Sequence, residues 1–354
     1  MATSETLALS DYMHGDEAIK IFNSYRDHPE IDDHTRIESI DVEFPWLAPH
    51  IGSRGLYLAR FGENTAGTFK IRGMAVGMES VLETHDAVGT YSAGNAGRSV
   101  AIMGKVHDVP TRIVVPTTAP EPKREGIRQL WPGGLLVVEE RGATFDEARQ
   151  WALDNPNGYG ELPPYDHPDV IAGQGTMLDD IVEQVGEVDH VVMTSGGAGG
   201  VAGMVKRSHE LGLNTTFHVV EAEGSNSLSK SMLAGEVVAA DAPNQRYGGS
   251  AVREVGRHTL AVCQSFANRL QFHTAPDSEV ADFIDRYAQH RHDNELDSVA
   301  AYEPTSLVPM AKLAQIALMH PDESLVALGT GHNDSLYPST GGRGSRVLSG
   351  AFPR

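Results

Sequence analysis

Short apolar runs alternate with amphipathic stretches along most of this chain. Strand-like apolar runs occupy positions 56–59, 112–116, 135–138, 189–194 and 216–220. Apolar residues at helical spacing follow Lys70 and recur over 146–153, with Thr144 as a predicted N-cap, and over 201–211. Strands that alternate with helices predict an α/β protein with mostly parallel sheets and helices on both faces.

Two segments lack this alternation. The first 35 residues have the composition of a polar lead-in with short helical pieces, and 156–168 is rich in Pro, Gly and Tyr. We predict that 156–168 crosses between two lobes.

Composition removes several classes of protein. The chain has 354 residues, 40% apolar and 21% charged, with 28 Lys plus Arg against 48 Asp plus Glu. This acidic balance argues against a nucleic-acid groove or an anionic membrane as the partner. No apolar run approaches ~20 residues, and the N-terminus lacks a signal-peptide pattern, which predicts a cytoplasmic protein. The single cysteine, Cys263, allows no internal disulfide and is predicted to be a buried core thiol.

Two segments at predicted strand-to-helix junctions carry candidate chemistry, because ligands of parallel sheets collect at the carboxyl ends of strands. Lys70 begins a predicted helix, where the helix dipole disfavours a cation and lowers an amine pKa. A Schiff-base lysine needs such a pKa, although an ordinary surface lysine fits the same pattern. In 92–97, small residues let backbone N–H groups approach a carboxylate, and Asn95 can donate to an oxygen. A plain Gly/Asn turn is the alternative there.

The third segment, 195–200, reads Ser-Gly-Gly-Ala-Gly-Gly between a predicted strand and helix. Consecutive N–H groups without side chains form a nest for a phosphate at a helix N-terminus. The pattern is not unique to one cofactor. Gly197, Gly199 and Ala202 also fit the dinucleotide fingerprint, and Glu221 ends the following strand as an acid for a ribose hydroxyl. A nicotinamide-dependent oxidoreductase therefore stays open as an alternative from another class.

Taken in order, these segments resemble the catalytic domain of threonine dehydratases (serine/threonine ammonia-lyases), which are fold-type II pyridoxal-phosphate proteins of the tryptophan synthase beta superfamily. The likeness extends from about Leu56 to about Asn333 and includes Tyr-Asp-His-Pro-Asp-Val-Ile-Ala-Gly-Gln-Gly-Thr at 165–176, with further segments at 114–120, 142–148, 220–223, 249–253, 303–306 and 329–333. It implies two doubly wound parallel-sheet lobes with pyridoxal 5′-phosphate between them. The large lobe is expected from 1–77 and 168–354, and a small mobile lobe from 78–167. The resemblance also implies a homodimer, and we expect no regulatory domain.

The resemblance implies a role for each candidate residue. Lys70 is the Schiff-base lysine, Phe69 flanks the cofactor ring, and Asn95 meets its phenolic oxygen. Thr330 matches the hydroxyl residue that faces the pyridine nitrogen. The cofactor phosphate is expected on Gly196, Gly197, Ala198, Gly199 and Gly200. Substrate contacts are expected from Ser92, Ala93, Gly94 and Ala96, and also from Arg98 and Glu303.

A neutral hydroxyl at the pyridine nitrogen makes the cofactor a weaker electron sink, which favours loss of a β-substituent over a long-lived carbanion. The predicted function is therefore a lyase that eliminates the β-hydroxyl of a small amino acid and yields a 2-oxo acid and ammonia. A β- or γ-replacement synthase that uses the same chemistry is the alternative.

Departures from the family pattern concern the substrate rather than the cofactor. The acidic pair after the first strand is missing at 59–62, and 329–332 is more similar to threonine synthases. Ala93 stands where related racemases carry a serine, which disfavours racemisation. Ser227 stands where some relatives have a metal-binding acid, so we predict no metal site there. Ala96 and Arg98 replace the usual histidine and glutamine. Arg98 could pair with a second anionic group of the substrate, or it could simply face solvent.

Overall fold

The computed structural model describes residues 8–296 and 301–332, so the last residue of the resemblance, Asn333, lies outside the described residues. The helices are α1 Gly15–Arg26, α2 Lys70–Leu82, α3 Asn95–His107, α4 Glu121–Arg128, α5 Phe145–Asp154, α6 Pro168–Val185, α7 Gly199–Glu210, α8 Ser227–Ala234, α9 Arg257–Ser265, α10 Asp277–Asp293 and α11 Pro304–Met319. The strands are β1 Ile37–Ser39, β2 Leu56–Arg60, β3 Val88–Tyr91, β4 Thr111–Val115, β5 Leu136–Glu140, β6 Gly160–Glu161, β7 His190–Thr194, β8 Thr216–Ala222, β9 Leu270–Ala275 and β10 Leu325–Gly329.

The strands form two sheets. The larger has the order β1-β2-β10-β7-β8-β9, and all of its pairs are parallel except β1 with β2. The smaller has the order β5-β4-β3-β6 and is parallel throughout. Strand β10, the last described in the chain, lies in the middle of the larger sheet, so the fold is complete only when residues 325–329 have paired.

Helices cover both faces of each sheet, because alternate strand residues point to opposite faces. In the larger sheet Val191 packs against α6, α7 and α9, whereas its neighbour Val192 packs against α10 and α11. In the smaller sheet Ile113 packs towards α2 and α3, and Val114 packs towards α5. Buried apolar side chains on both faces explain why these strands form continuous apolar runs in the sequence.

The predicted α/β class with parallel sheets is confirmed, and most elements lie within a residue or two of their predicted bounds. Thr144 caps α5 by accepting from the Glu147 N–H at 3.2 Å, and Cys263 is buried on α9. The polar lead-in was incompletely predicted, since α1 is a regular amphipathic helix that buries Ala18 and Phe22. All strands of the smaller sheet lie between 78 and 167, but the division into a large and a small mobile lobe stays a prediction. None of the described helices is long and apolar enough to span a membrane.

A buried cluster of charges joins α2 to α6 and to the segment that precedes β1. The fully buried guanidinium of Arg72 donates to Asp33 at 2.7 Å and to Asp180 of α6 at 2.5 Å. The cation also lies 4.6 Å from the ring centroid of Phe22 and 5.0 Å from that of Phe61. Charges enclosed in this way need their partners, since an uncompensated buried carboxylate is very costly.

We therefore expect Arg72→Met to lower the free energy of unfolding by about 3–5 kcal/mol, because buried Asp33 loses its cation and Asp180 keeps only its pair with Arg26. Denaturant unfolding followed by circular dichroism measures this change. The control is Arg36→Ala, which removes an exposed pair with Glu63 and should cost no more than about 1 kcal/mol. Equal losses for the two variants would contradict a structural role for Arg72.

Candidate active site

A cleft of about 2970 Å³ lies between the two sheets, at the carboxyl ends of their strands. The smaller sheet contributes the loop after β3, the start of α4 and part of α5. The larger sheet contributes Lys70, the segment 243–258 and the start of α11. The position agrees with the expectation that ligands bind where parallel strands end.

Lys70 is the first residue of α2, and its side chain faces this cleft. The ammonium nitrogen lies 5.1 Å from the centroid of the Phe69 ring. Burial lowers the pKa of Lys70 to about 8, although the negative charge of Glu303 acts in the opposite direction. About a tenth of the amine is therefore unprotonated at pH 7, far more than at an ordinary lysine, and a base or nucleophile requires this form.

Glu303 immediately precedes α11 and is buried beside the cleft. Its Oε1 accepts from Nδ2 of Asn95 at 3.0 Å, a contact between the two sides of the cleft. Burial raises the pKa of Glu303 to about 7, and the Asn95 hydrogen bond, Lys123 and Lys70 oppose that rise. The sequence predicted both Asn95 and Glu303 as site residues, but it gave no indication that they contact each other.

The loop from Ser92 to Ala96 lines the cleft along its whole length. Ser92 Oγ accepts from the Gly94 N–H at 3.2 Å, and α3 begins directly afterwards at Asn95. Only glycine fits at position 97, since a Cβ on Gly97 would lie 2.0 Å from the Ser92 carbonyl oxygen. The loop thus turns tightly into a helix N-terminus, where free N–H groups favour a bound carboxylate.

The predicted phosphate nest, 195–200, follows β7 and begins α7, with Ala198 in the left-handed conformation at φ +68°. The nest does not itself line the cleft. The ring of Tyr165, which does, lies over it so closely that a Cβ at Gly197 would be 2.3 Å from the ring. Thr194 Oγ1 and Ser195 Oγ are buried and hydrogen-bond to nothing within the described residues. Buried hydroxyls without partners beside a helix N-terminus suit a phosphate.

Thr330 follows β10 and is buried just behind Lys70. Its carbonyl accepts from the Phe69 N–H at 3.0 Å, which ties it to the residue before the lysine. Its Oγ1 lies 3.1 Å from Ser306 Oγ, and that oxygen also accepts from the N–H groups of Thr330 and Gly331. The hydroxyl is therefore held in place, and it is uncharged.

Arg98 is the predicted substrate residue that the structure does not bring to the cleft. Its buried guanidinium donates to the Gly126 carbonyl at 3.5 Å, and burial lowers its pKa to about 10. It is not solvent-facing, and a direct contact with a substrate stays a prediction that this position does not favour.

Tyr165 and Lys123 are among the cleft residues that sequence reasoning missed. Lys123 lies in the first turn of α4, just after the carboxyl end of β4, so its place after a predicted strand was the available signal. Glu221, the acid considered for a ribose hydroxyl, is buried and accepts from the N–H groups of Leu228 and Ser229 at 2.9 and 3.2 Å. It caps α8, so its oxygens are already engaged.

A lysine of lowered pKa in a cleft between two parallel sheets, beside a glycine-rich phosphate nest, defines an enzyme of the class that binds a phosphorylated aldehyde cofactor. The family model for pyridoxal-phosphate dependent enzymes matches residues 36–330, and this chain belongs to that family. The predicted family and the predicted cofactor, pyridoxal 5′-phosphate, are thereby confirmed.

Several known proteins are similar to the chain. Threonine dehydratase 2 biosynthetic, chloroplastic, of Solanum lycopersicum is 33% identical over 306 residues, which are 84% of this chain and 49% of that protein. The L-threo-3-hydroxyaspartate ammonia-lyase of a Pseudomonas species is 27% identical over 75% of this chain and 81% of its own length. The structure of the processed form of threonine deaminase isoform 2 from Solanum lycopersicum superposes with a TM-score of 0.71 at 27% identity, covering 91% of this chain and 86% of that one. The chain thus spans about half the length of the dehydratase and most of the other two.

The raised pKa of Glu303 predicts a pH-dependent stability. The folded-state pKa, about 7, exceeds the ordinary value of 4.5, so the stabilisation is complete below about pH 4.5 and is lost as the pH rises through 7. We expect Glu303→Gln, which cannot ionise, to gain about 2 kcal/mol of stability relative to wild type between about pH 5 and about pH 8. Thermal unfolding of the cofactor-free proteins at both pH values measures this. The control, Glu254→Gln, changes an exposed carboxyl at the same cleft and should show no such gain; an equal gain there would refute the assignment.

Proposed function

We propose that this chain is a pyridoxal-phosphate-dependent ammonia-lyase that removes the β-hydroxyl of a small amino acid and releases a 2-oxo acid and ammonia. The observation that carries the proposal is the backbone hydrogen bond from Phe69 to Thr330. It joins the residue before Lys70 to Thr330, so the group expected to face the pyridine nitrogen is a neutral, buried hydroxyl. Relatives named threonine dehydratase and L-threo-3-hydroxyaspartate ammonia-lyase support the same reaction class.

The residues fit the cofactor on both sides of Lys70. The phosphate would lie on Gly196, Gly197, Ala198, Gly199 and Gly200, and it would supply a hydrogen-bond partner for the buried Ser195 Oγ. Thr330 would face the pyridine nitrogen, Phe69 would flank the ring, and Asn95 would reach the phenolic oxygen. When bound, pyridoxal phosphate withdraws electrons from the substrate Cα, and a neutral partner at its nitrogen limits that withdrawal.

Different groups of the chain would bind the substrate and transfer the protons. The N–H groups of the loop Ser92–Ala96 would bind the substrate carboxylate. The free amine of Lys70, with a pKa of about 8, would take the proton from Cα. Glu303, with a pKa of about 7, carries its proton in part of the population near neutral pH and would give it to the departing hydroxyl. Tyr165 would exclude water from the phosphate nest.

Two alternatives make different demands on the site. A replacement synthase would need a second substrate before any product forms. A nicotinamide-dependent oxidoreductase would need Glu221 for a ribose, but both of its oxygens accept from the start of α8. The family match to pyridoxal-phosphate dependent enzymes also disfavours the second alternative.

The proposal extends to organisation. Residues 78–167 would form a small lobe that moves against the large one. Across the cleft mouth, Asp146 of α5 and Arg253 lie 3.8 Å apart, and both side chains are exposed, so this ion pair is weak enough to break on opening. We further propose that the protein is a cytoplasmic homodimer, as its sequence led us to expect.

We expect Lys70→Ala to abolish both the visible absorption band of lysine-bound pyridoxal phosphate and ammonia release, because no other group would hold the cofactor covalently. Spectra of the purified proteins and an ammonia assay with serine, threonine or 3-hydroxyaspartate alone test this. The control, Lys20→Ala, removes an exposed lysine of α1 and should change neither. A persistent band in Lys70→Ala would refute the lysine assignment, and ammonia release that requires a second substrate would favour a replacement synthase.

The choice between threonine-like and dianionic substrates should depend on Lys123, since it lines the cleft and its charge acts on Glu303. We expect Lys123→Met to raise KM for 3-hydroxyaspartate about tenfold more than for threonine, the usual effect of losing one charge-assisted hydrogen bond. Steady-state kinetics with both substrates measures the ratio. The matched variant Arg98→Gln should shift both KM values alike. If Arg98→Gln has a selective effect and Lys123→Met has none, then Arg98 rather than Lys123 binds the second anionic group of the substrate.

A further inference from the structure

Four histidines that are far apart in the sequence meet on one face of the larger sheet. His190 begins β7, His218 lies in β8, and His273 lies in β9. The strand register places all three on the same face, since His218 is opposite Val192 and Gln271, and His273 is opposite Val220. This is the face that α11 covers, and the fourth histidine, His320, directly follows α11. The cluster also includes Glu323, three residues later.

Ring nitrogens and one carboxylate make continuous contacts through this cluster. Glu323 Oε2 lies 2.6 Å from His320 Nδ1 and 3.0 Å from His190 Nε2. His190 Nδ1 lies 3.0 Å from His218 Nε2, and His218 Nδ1 lies 2.9 Å from His273 Nε2. One nitrogen from each of His190, His218 and His320 falls within 4.8 Å of the other two.

If every ring is neutral and Glu323 is ionised, only one arrangement of protons satisfies all of these contacts. Glu323 then accepts from His190 and His320, His190 accepts from His218, and His218 accepts from His273. A metal ion would bind the lone pair of one nitrogen of a neutral ring, and the proton of that ring would then lie on its other nitrogen.

The donor set is that of a borderline transition metal. Three imidazole nitrogens suit Zn²⁺, whose bonds of about 2.0–2.1 Å hold neighbouring ligand atoms roughly 3.3 Å apart. The separation of 3.0 Å between His190 Nδ1 and His218 Nε2 is close to that value, and a nitrogen of His320 lies within 4.8 Å of a nitrogen of each. Glu323 contacts the other nitrogen of His190, so it would act outside the ligand set, as a hydrogen-bond acceptor for His190 and His320. If His218 binds through Nε2, its Nδ1–H donates to His273, which is the outer-shell contact typical of metal-bound histidine.

The cluster is separate from the cofactor cleft. His190 is the first residue of β7, whereas the phosphate nest follows Thr194 at its other end, about 13 Å away along the strand. None of these histidines lines the cleft. An ion can reach the site from solvent, because the Glu323 side chain is 47% exposed. His218, by contrast, is fully buried.

We propose that His190, His218 and His320 form a binding site for a divalent transition-metal ion, with Zn²⁺ as the reference ion. His273 would orient His218, and Glu323 would orient His190 and His320. The three ligands come from the protein, and solvent can fill a fourth position. The ion would join the end of α11 to β7 and β8. Because α11 begins next to Glu303, this would anchor the far end of the helix that bears a cleft residue, without any contact with the reaction.

The test uses the holoenzyme expressed without a histidine tag, treated with chelator and then titrated with Zn²⁺. We expect one Zn²⁺ per chain by elemental analysis and a rise in Tm at saturation, since an ion that binds only the folded state stabilises it. Co²⁺ in place of Zn²⁺ should give the visible bands of tetrahedral coordination, at wavelengths beyond the cofactor absorption.

The variants change His320 and Glu323, so that the buried histidines still fold into the sheet. His320→Ala removes a ligand and should abolish the Co²⁺ bands of wild type. Glu323→Gln removes the carboxylate that orients two ligands and should weaken Zn²⁺ binding about tenfold or more. The control is His34→Ala, which removes an exposed histidine and should bind as wild type does. The proposal is overturned if wild type takes up no Zn²⁺, or if both variants bind it as tightly as the control.

Discussion

The buried guanidinium of Arg72 is the interaction on which the geometry of this site depends. It lies two residues beyond Lys70, and its partners Asp33 and Asp180 come from segments on either side of the smaller sheet in the sequence. A helix held only by apolar packing can rotate or slide, because such contacts are not directional. Paired charges in the interior fix one arrangement, since any shift leaves a buried charge unpaired. The helix that presents Lys70 is therefore held in one rotation by charges rather than by the cofactor.

The central position of β10 has a similar consequence. Between β2 and β7, its end carries Thr330 to the residue before Lys70 and Gly331 to the N–H of Glu303. Backbone hydrogen bonds thus bring the segment of Lys70 to those of Glu303 and Thr330, from which it is distant in the chain. Parallel strands make this arrangement natural, because all their carboxyl ends lie at one edge of the sheet.

The sequence predicted those parts of the molecule that local rules determine. The helix after Lys70, the Thr144 cap and the glycine-rich turn after β7 depend on periodicity, capping and backbone freedom, and each is where the pattern indicated. The composition of the first 35 residues did not predict the regular helix α1, because its apolar stripe is narrow and flanked by charges. The family and the cofactor were also predictable, because several ordered motifs identified them together.

What the sequence could not give was contact between distant segments. Nothing local distinguishes Arg98, buried behind the loop, from Lys123, which faces the cleft. The histidines at 190, 218, 273 and 320 have no ligand-like spacing; strand register alone brings the first three to one face. Likewise, Tyr165 covers the glycine-rich turn 195–200 only because its own segment, 30 residues earlier in the chain, packs against that turn.

Burial, rather than attraction between opposite charges, governs the two titrating groups of the cleft. In water an amine and a carboxyl at neutral pH would both be charged. Here burial is the largest effect on each, lowering the pKa of Lys70 to about 8 and raising that of Glu303 to about 7, and it outweighs their mutual attraction. Both groups therefore exchange protons within the same narrow pH range. The helix N-terminus after Gly94 adds dipoles that favour a bound carboxylate in the same cleft. The hydrogen bond from Asn95 to Glu303 joins this helix to the titrating pair, so a change in one of the two elements should affect the other.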